Sequence, residues 1–231
     1  MRLCARHAGI FQMTKAIFFD AAGTLIHLPR GAAHHYKIVA HRHGFEFDEA
    51  ELAAAFRAVW KNRPAREICD GPRPDDDKGW WRALVADVLS QCGANIPQAK
   101  FHALFDDLYA HFALPGVWKL YDDVQPALET LRQKYALGII SNFDGRLRAI
   151  LQNLEIADAF QAIAISSEIG ADKPHPKIFQ HALAQLGVEP DEALHVGDDP
   201  DHDWRGGEAA GMKIFRLDRP IHSLLDLSKQ I

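Results

Sequence analysis

The sequence predicts an α/β protein: a parallel sheet covered by helices on both faces and interrupted by a helical insert. Three observations predict it. Short apolar runs alternate with helix-spaced segments through the C-terminal half of the chain. Each apolar run stops at polar or acidic residues, and the carboxyl ends of strands are where such sheets carry their sites. Residues 30–115 show helical spacing and no convincing strand, with proline and glycine at both crossings.

In chain order, the first strand is expected at Ala16–Phe19, four apolar residues that run into Asp20 and then Ala21-Ala22-Gly23-Thr24. Pro29-Arg30-Gly31 opens the insert and Leu114-Pro115-Gly116 closes it. The insert is rich in Ala, His, Arg, Trp and acidic residues, and its run "GPRPDDDKG" (71–79) reads as a solvated loop. Val124, Leu128, Leu131 and Tyr135 recur at helical spacing within 122–135. "ALGII" (136–140) is a strand ending at Ser141-Asn142, and "FQAIAI" (160–165) is another ending at Ser166-Ser167. A helix over 175–186 stops at Gly187, a plausible cap. "ALHV" (193–196) ends at Gly197-Asp198-Asp199, and "KIFRL" (213–217) at Asp218.

A chain of 231 residues, 48% of them hydrophobic, can bury one large core or a core plus a smaller insert. A net charge of -5 with no basic block argues against a nucleic-acid partner. No apolar run approaches the roughly 18 residues of a membrane helix. Cys4, Cys69 and Cys92 are scattered, without a CxxC pair, and read as reduced thiols of a cytosolic, cytoplasmic protein. Residues 1–12 read as a loose extension ahead of "MTKAIFFD". Nothing in the sequence sets an oligomeric state.

Four pieces line up in order: Asp20 with Gly23-Thr24, Ser141-Asn142, Lys173-Pro174, and Gly197-Asp198-Asp199 with Asp203. In "DAAGT", "IISN", "GADKPHPKIF" and "HVGDDPDHDWRGGEAAGM" the chain resembles the haloacid dehalogenase superfamily, in the branch with a small helical cap inserted after the first strand. One such motif is weak evidence; four in order and spacing, over residues 15–218, are specific. The resemblance implies a three-layer Rossmann-like core from residues 13–29 and 116–231, with an α-helical cap at 30–115. It implies a Mg²⁺-dependent phosphatase-type hydrolase acting on a small phosphorylated metabolite. Asp20 matches the nucleophile that forms a covalent aspartyl intermediate. Gly23, Thr24 and Asn142 would bind substrate, the small residues letting backbone N–H groups come close. Ser141 would donate to a phosphate oxygen, and Lys173 would neutralise charge on Asp20 and the substrate. Mg²⁺ would be held by the Asp20 carboxylate, the Ala22 carbonyl and the Asp198 carboxylate. Asp203 would hold Lys173 or a metal-bound water.

The departure from the family pattern is Ala22, where phosphatases of the family usually carry a second Asp that protonates the leaving oxygen and then activates water. Two alternatives suit a missing general acid. One is hydrolysis of a carbon–phosphorus or carbon–halogen bond. Asp198 disfavours the dehalogenase. Phosphonoacetaldehyde hydrolases have Ala here and a Schiff-base lysine in the cap, for which Lys61 is the candidate, although a solvated helix-end lysine is the commoner case. The other is a weakly active or inactive phosphate-binding or interaction protein.

Other patterns have plainer readings. Asp199, Asp201 and Asp203 imitate a calcium loop, but Trp204 and Ala210 stand where that loop needs Gly and Glu. His34, His35, His41 and His43 invite zinc, but His34 and His41 show no convergent Cys or Glu in the sequence. Trp60, Trp80 and Trp81 read as cap core rather than substrate stackers.

Overall fold

The structure, a computed structural model, describes residues 14–219 and 221–228. The expected loose extension at 1–12, with Cys4, lies outside the described residues.

In chain order the elements are β1 (Ala16–Phe19), β2 (Ile26–His27), α1 (Gly31–Arg42), α2 (Glu49–Asn62), α3 (Lys78–Gln91), α4 (Gln98–His111), β3 (Lys119–Leu120) and α5 (Val124–Leu131). There follow β4 (Ala136–Ser141), α6 (Arg146–Asn153), β5 (Ala162–Ile165), α7 (Ser166–Ile169), α8 (Pro176–Leu186) and β6 (Ala193–Gly197). A wide π-helical turn (Pro200–Arg205), α9 (Gly206–Ala209), β7 (Lys213–Arg216) and α10 (Leu224–Ser228) complete the order.

Five strands form one sheet in the order β5-β4-β1-β6-β7, every pair parallel. All four residues of β1 are fully buried, because parallel strands are covered on both faces. Alternation along β1 separates the two faces. Ile17 and Phe19 pack with Val124 and Leu128 of α5, Leu147 of α6 and Leu224 of α10. Ala16 and Phe18 pack with Ile178 and Phe179 of α8 on the other side. Helices on two faces of one sheet make the three layers. The order of strands reverses at β1, since the chain builds β4 and β5 on one side of it and then β6 and β7 on the other. Register does the rest: Phe19 is level with Ile139 and Val196, so Asp20, Ser141 and Asp198 emerge together at one edge.

Residues 31–111 form four helices with an apolar cluster of their own, in which Tyr36, Leu52, Leu84, Val88, Leu104 and Phe105 take part. Asp48 starts α2 by accepting from the N–H groups of Ala50 (2.9 Å) and Glu51 (3.0 Å). The two crossings lie side by side, because β2 and β3 pair antiparallel, Ile26 with Leu120 and His27 with Lys119.

The run 71–79 is not the solvated loop its composition suggests. Arg73 and Asp77 are 8% and 3% exposed. Arg66 reaches Asp77 and Asp172, each at 2.9 Å, and Arg73 reaches the same two carboxylates at 3.1 and 3.3 Å. Asp76 accepts from the Gly145 N–H at 2.9 Å and from Ser167 Oγ at 2.5 Å. The main chain joins in, Cys69 N–H donating to Gly170 and Arg73 N–H to Ser167, both at 2.8 Å. Asp77 meets two arginines, and Asp76 meets a backbone N–H and a hydroxyl, while Asp75 stays exposed, so the buried end of the acidic run keeps its polar partners. Gly170 permits the approach: a Cβ there would sit 2.2 Å from the Gly71 carbonyl oxygen.

Candidate active site

The turn after β1 is built to hold one carboxylate still. The Asp20 N–H continues the ladder to the Val196 carbonyl at 2.9 Å. The Ala21 carbonyl then accepts from Leu25 and Ile26 N–H at 2.8 and 2.9 Å, and Gly23 N–H donates to the Ile26 carbonyl at 2.9 Å. Gly23 has φ +99°, and a Cβ there would sit 2.5 Å from Asp198 Oδ2, so glycine lets the first loop close against the Asp198 loop. These bonds leave the Ala22 carbonyl out.

Around Asp20 the sequence-selected residues converge. Lys173 Nζ donates to Asp20 Oδ1 and to Asp203 Oδ1, each at 2.6 Å. Ser141 Oγ stands 3.5 Å from Asp20 Oδ1, at the outer limit of a hydrogen bond. Thr24 Oγ1 donates to Asp198 Oδ1 at 2.8 Å. Carboxylate oxygens of Asp20, Asp198 and Asp203 lie within 4.8 Å of one another, the metal-competent cluster among the described residues. Asp203 is fully committed: Oδ1 also accepts from His195 Nε2 at 2.9 Å, and Oδ2 accepts from the Asp199 N–H at 3.0 Å. Asp20 and Asp198 each have one oxygen in these bonds and one outside them. That pair, with the Ala22 carbonyl, fits the few hard oxygens that Mg²⁺ takes.

Burial sets the proton affinities. It pushes the Asp20 carboxyl up to about 7 against the pull of Lys173, with Asp203 and Asp198 adding to the rise. Asp198 is also raised, chiefly by burial, against its bond from Thr24. Burial would raise Asp203 as well, but Lys173 and His195 outweigh it and hold this carboxyl below the usual range. Burial opposes a charged Lys173, but Asp20 and Asp203 override it and raise the ammonium pKa, so Lys173 is a cation.

The three residues expected to touch substrate have other work. The Gly23 N–H is used inside its own turn, and the buried Thr24 hydroxyl steadies Asp198. Asn142 Nδ2 donates to the Lys173 carbonyl at 3.0 Å while Oδ1 accepts from the Lys173 N–H at 2.6 Å, so its carboxamide shapes the lysine loop. Of the three, Asn142 alone lines the cavity described below.

Sequence reasoning passed over His195. It is fully buried in β6, and burial lowers its pKa against the attraction of Asp203. The neutral ring donates from Nε2 and helps to orient Asp203. One polar residue inside "ALHVG" was the available signal, since a buried polar group needs a partner. The reading of His34 and His41 as residues without a convergent ligand set agrees with the contacts they make. Each has a Glu partner, Glu49 at 3.2 Å and Glu46 at 2.5 Å, but as separate pairs rather than a convergent set. In the acidic run after β6, Asp199 caps its own turn through Asp201 and His202 N–H, and Asp201 pairs with Arg205.

A cavity of about 850 Å³ opens above Asp20 and runs into the four-helix segment. Asp20, Ala22, Ser141, Lys173 and Asp198 line one end. Trp60, Trp80 and Trp81, read from the sequence as interior packing, line the other part, with Tyr109 and Arg146. Trp60 is 48% exposed, so it is not a core residue. No described helix is long and apolar enough to cross a membrane.

Comparison with known proteins agrees with this architecture. The rhythmically expressed gene 2 protein of Drosophila melanogaster is 32% identical over 209 residues, 85% of this chain and 80% of that protein. A glyceraldehyde 3-phosphate phosphatase of Methanopyrus kandleri is 44% identical over 134 residues, 57% of each chain. A solved 2-haloacid dehalogenase from Pseudomonas syringae pv. Tomato superposes with a TM-score of 0.64 at 23% identity, over 94% of this chain and 98% of that one, a likeness of fold. A family model described as haloacid dehalogenase-like hydrolase matches residues 14–211. Because that match runs from the residues before β1 to the glycine turn before β7, it takes in four of the five sheet strands and the helical insert rather than one motif, and the chain belongs to the haloacid dehalogenase-like hydrolases.

Proposed function

We propose that this hydrolase cleaves the phosphate monoester of a small metabolite by passing the phosphoryl group through Asp20. The observation that carries the reading is the placement of Lys173 Nζ, 2.6 Å from both Asp20 and Asp203 and beside Asp198 at the mouth of β1. An oxygen of Asp20 attacks phosphorus, the bond to the alcohol oxygen breaks, and an aspartyl phosphate results. Lys173 offsets the charge that builds on the phosphoryl oxygens, and Ser141 donates a hydrogen bond to one of them. Water then attacks phosphorus, the Asp20 carboxylate leaves, and the products are the alcohol and inorganic phosphate. Asp20, the Ala22 carbonyl and Asp198 would hold Mg²⁺, which when bound would supply positive charge that favours the ionised form of both carboxylates and offsets charge on the phosphoryl group. The phosphatase named among the relatives supports this class of substrate.

In this reading residues 30–115 act as a cap that bounds the cavity and shields Asp20 from bulk water. Lys61, the candidate for a Schiff-base lysine, is exposed and not among the residues that line the cavity, which favours the phosphatase reading. The test is chemical trapping. Brief incubation with a labelled phosphate ester and Mg²⁺ should leave a hydroxylamine-sensitive label on Asp20, and Asp20→Asn should release no phosphate. Turnover without label, or full turnover by Asp20→Asn, would overturn the proposal.

A further inference from the structure

The far end of the cavity describes the alcohol half of the substrate. Three indoles contribute to the wall and support one another. Trp80 meets Trp81 edge to face at 5.0 Å and Trp60 at 5.8 Å, and Trp60 stacks on Phe56 at 5.8 Å. The nearby cations are already matched. Arg63 is paired with Asp87 and bonded to the Trp80 carbonyl. Arg66 is paired with Asp77 and Asp172. Arg146 is paired with Asp144 and bonded to the Tyr109 carbonyl. Their guanidinium planes lie over rings instead, Arg66 4.7 Å from Trp80 and Arg146 3.7 Å from Tyr109. Away from Asp20, then, the wall is made of aromatic rings and neutralised guanidinium groups, with no unmatched arginine to meet a second anionic group on the substrate. At about 850 Å³ the cavity is near the upper end of the range for a drug-sized molecule, far larger than a haloacid or a three-carbon phosphate needs.

The other end of the site points the same way. Ala22 lines the cavity where it cannot protonate a leaving oxygen. An alkoxide leaves poorly without that proton. A phenolate leaves well, since a phenol has a pKa of only about 10, as in tyrosine.

We propose that the substrate is the monophosphate of an aromatic alcohol, with the phosphoryl group at Asp20 and the ring against Trp60, Trp80 and Trp81. The inference rests on the phosphatase reading above. The oxygen of Asp20 bonds to phosphorus, the phosphorus–aryl-oxygen bond breaks with its electron pair on the phenolate, and the phenolate takes its proton from solvent.

The experiment compares phenyl phosphate, naphthyl phosphate and acetyl phosphate, with Mg²⁺ present. Phenol and naphthol are similar leaving groups, so a difference between their esters reports the wall rather than the chemistry. Acetyl phosphate has a good leaving group and no ring. The naphthyl ester should show a kcat/KM at least tenfold above the phenyl ester, mainly through KM. Trp60→Ala, a change at a half-exposed side chain, should raise KM for the naphthyl ester about tenfold more than KM for acetyl phosphate. Equal kcat/KM for the two aryl esters, with acetyl phosphate turned over, overturns this inference and leaves the phosphatase reading standing. No phosphate release from any of the three overturns both.

Discussion

Asn142 grips the Lys173 main chain through both ends of one carboxamide, Nδ2 to the carbonyl at 3.0 Å and Oδ1 to the N–H at 2.6 Å. The residue that follows Ser141 on β4 thereby fixes the loop that brings the ammonium group to Asp20. Asn142→Leu should lower kcat by about ten- to a hundredfold with a smaller change in KM, the split expected when substrate still binds but the transition state is held in the wrong geometry. A rise in KM alone would show that Asn142 binds substrate directly. Thermal unfolding of the variant separates local misplacement from a general loss of structure.

Thr24 donates to Asp198, which keeps one carboxylate oxygen outside these bonds, whereas both oxygens of Asp203 are taken by partners, so under the proposed reaction Asp198 rather than Asp203 would hold Mg²⁺. Asp198→Asn removes a charge without changing shape, so Mg²⁺ affinity measured by calorimetry should fall at least tenfold while the melting temperature stays close to that of the natural protein. Asp203→Asn should behave differently, perturbing Lys173 and the fold more than the metal. Unchanged Mg²⁺ affinity in Asp198→Asn would remove it from the metal site.

Ala22 should show itself in the choice of leaving group. Rates over a series of phosphate esters should depend steeply on leaving-group pKa, with sugar phosphates poor. Ala22 is exposed to the cavity, so an Asp fits there and the backbone carbonyl is retained. Ala22→Asp should raise rates on alkyl esters, by up to the roughly 10² to 10⁴ that acid catalysis is worth, and raise aryl esters less. Equal rates on alkyl and aryl esters in the natural protein would mean that another group already supplies the proton.

Acid should loosen the four-helix segment at one identifiable place. His35 Nδ1 lies 3.0 Å from His111 Nε2. Burial, helped by His111, His34 and Arg30, pushes the His35 pKa down to about 4. An unfolded His takes its proton near pH 6.5, so the stability given by neutral His35 is complete above that pH and is lost as pH falls toward 4. Urea midpoints should therefore drop between pH 7 and pH 4.5, and His35→Gln should flatten that drop. An identical pH dependence in the variant would place the acid sensitivity elsewhere.

The sheet and the gathering of Asp20, Ser141, Lys173 and Asp198 at one edge of it were legible in the sequence because their signals are local. An apolar run such as Ala16–Phe19 that ends at one acid announces a strand edge, and parallel packing gathers such edges. What was not legible depends on contacts far apart in the chain. Arg66 and Asp172 meet across 106 positions, and a run such as Pro72–Lys78 has the same composition whether it faces water or two arginines. The spacing of Trp60, Trp80 and Trp81 identifies helices but not which face meets a cavity. Asn142 and Thr24 were correctly placed near Asp20, yet their roles turned on where single side-chain atoms point.

The docked run between α2 and α3 changes how the helical segment can move. Joined only at β2 and β3, it would swing as a door does on one edge. The ties from Cys69, Arg73 and Asp76 to Gly170, Ser167 and Gly145 add a latch, and the charged part of that latch closes on Asp172, the residue just before Lys173. Unlatching therefore pulls on the same loop that carries the ammonium group to Asp20. An opening of the helical segment for substrate entry would therefore be coupled to the position of Lys173, and its closure to the return of the ammonium group beside Asp20.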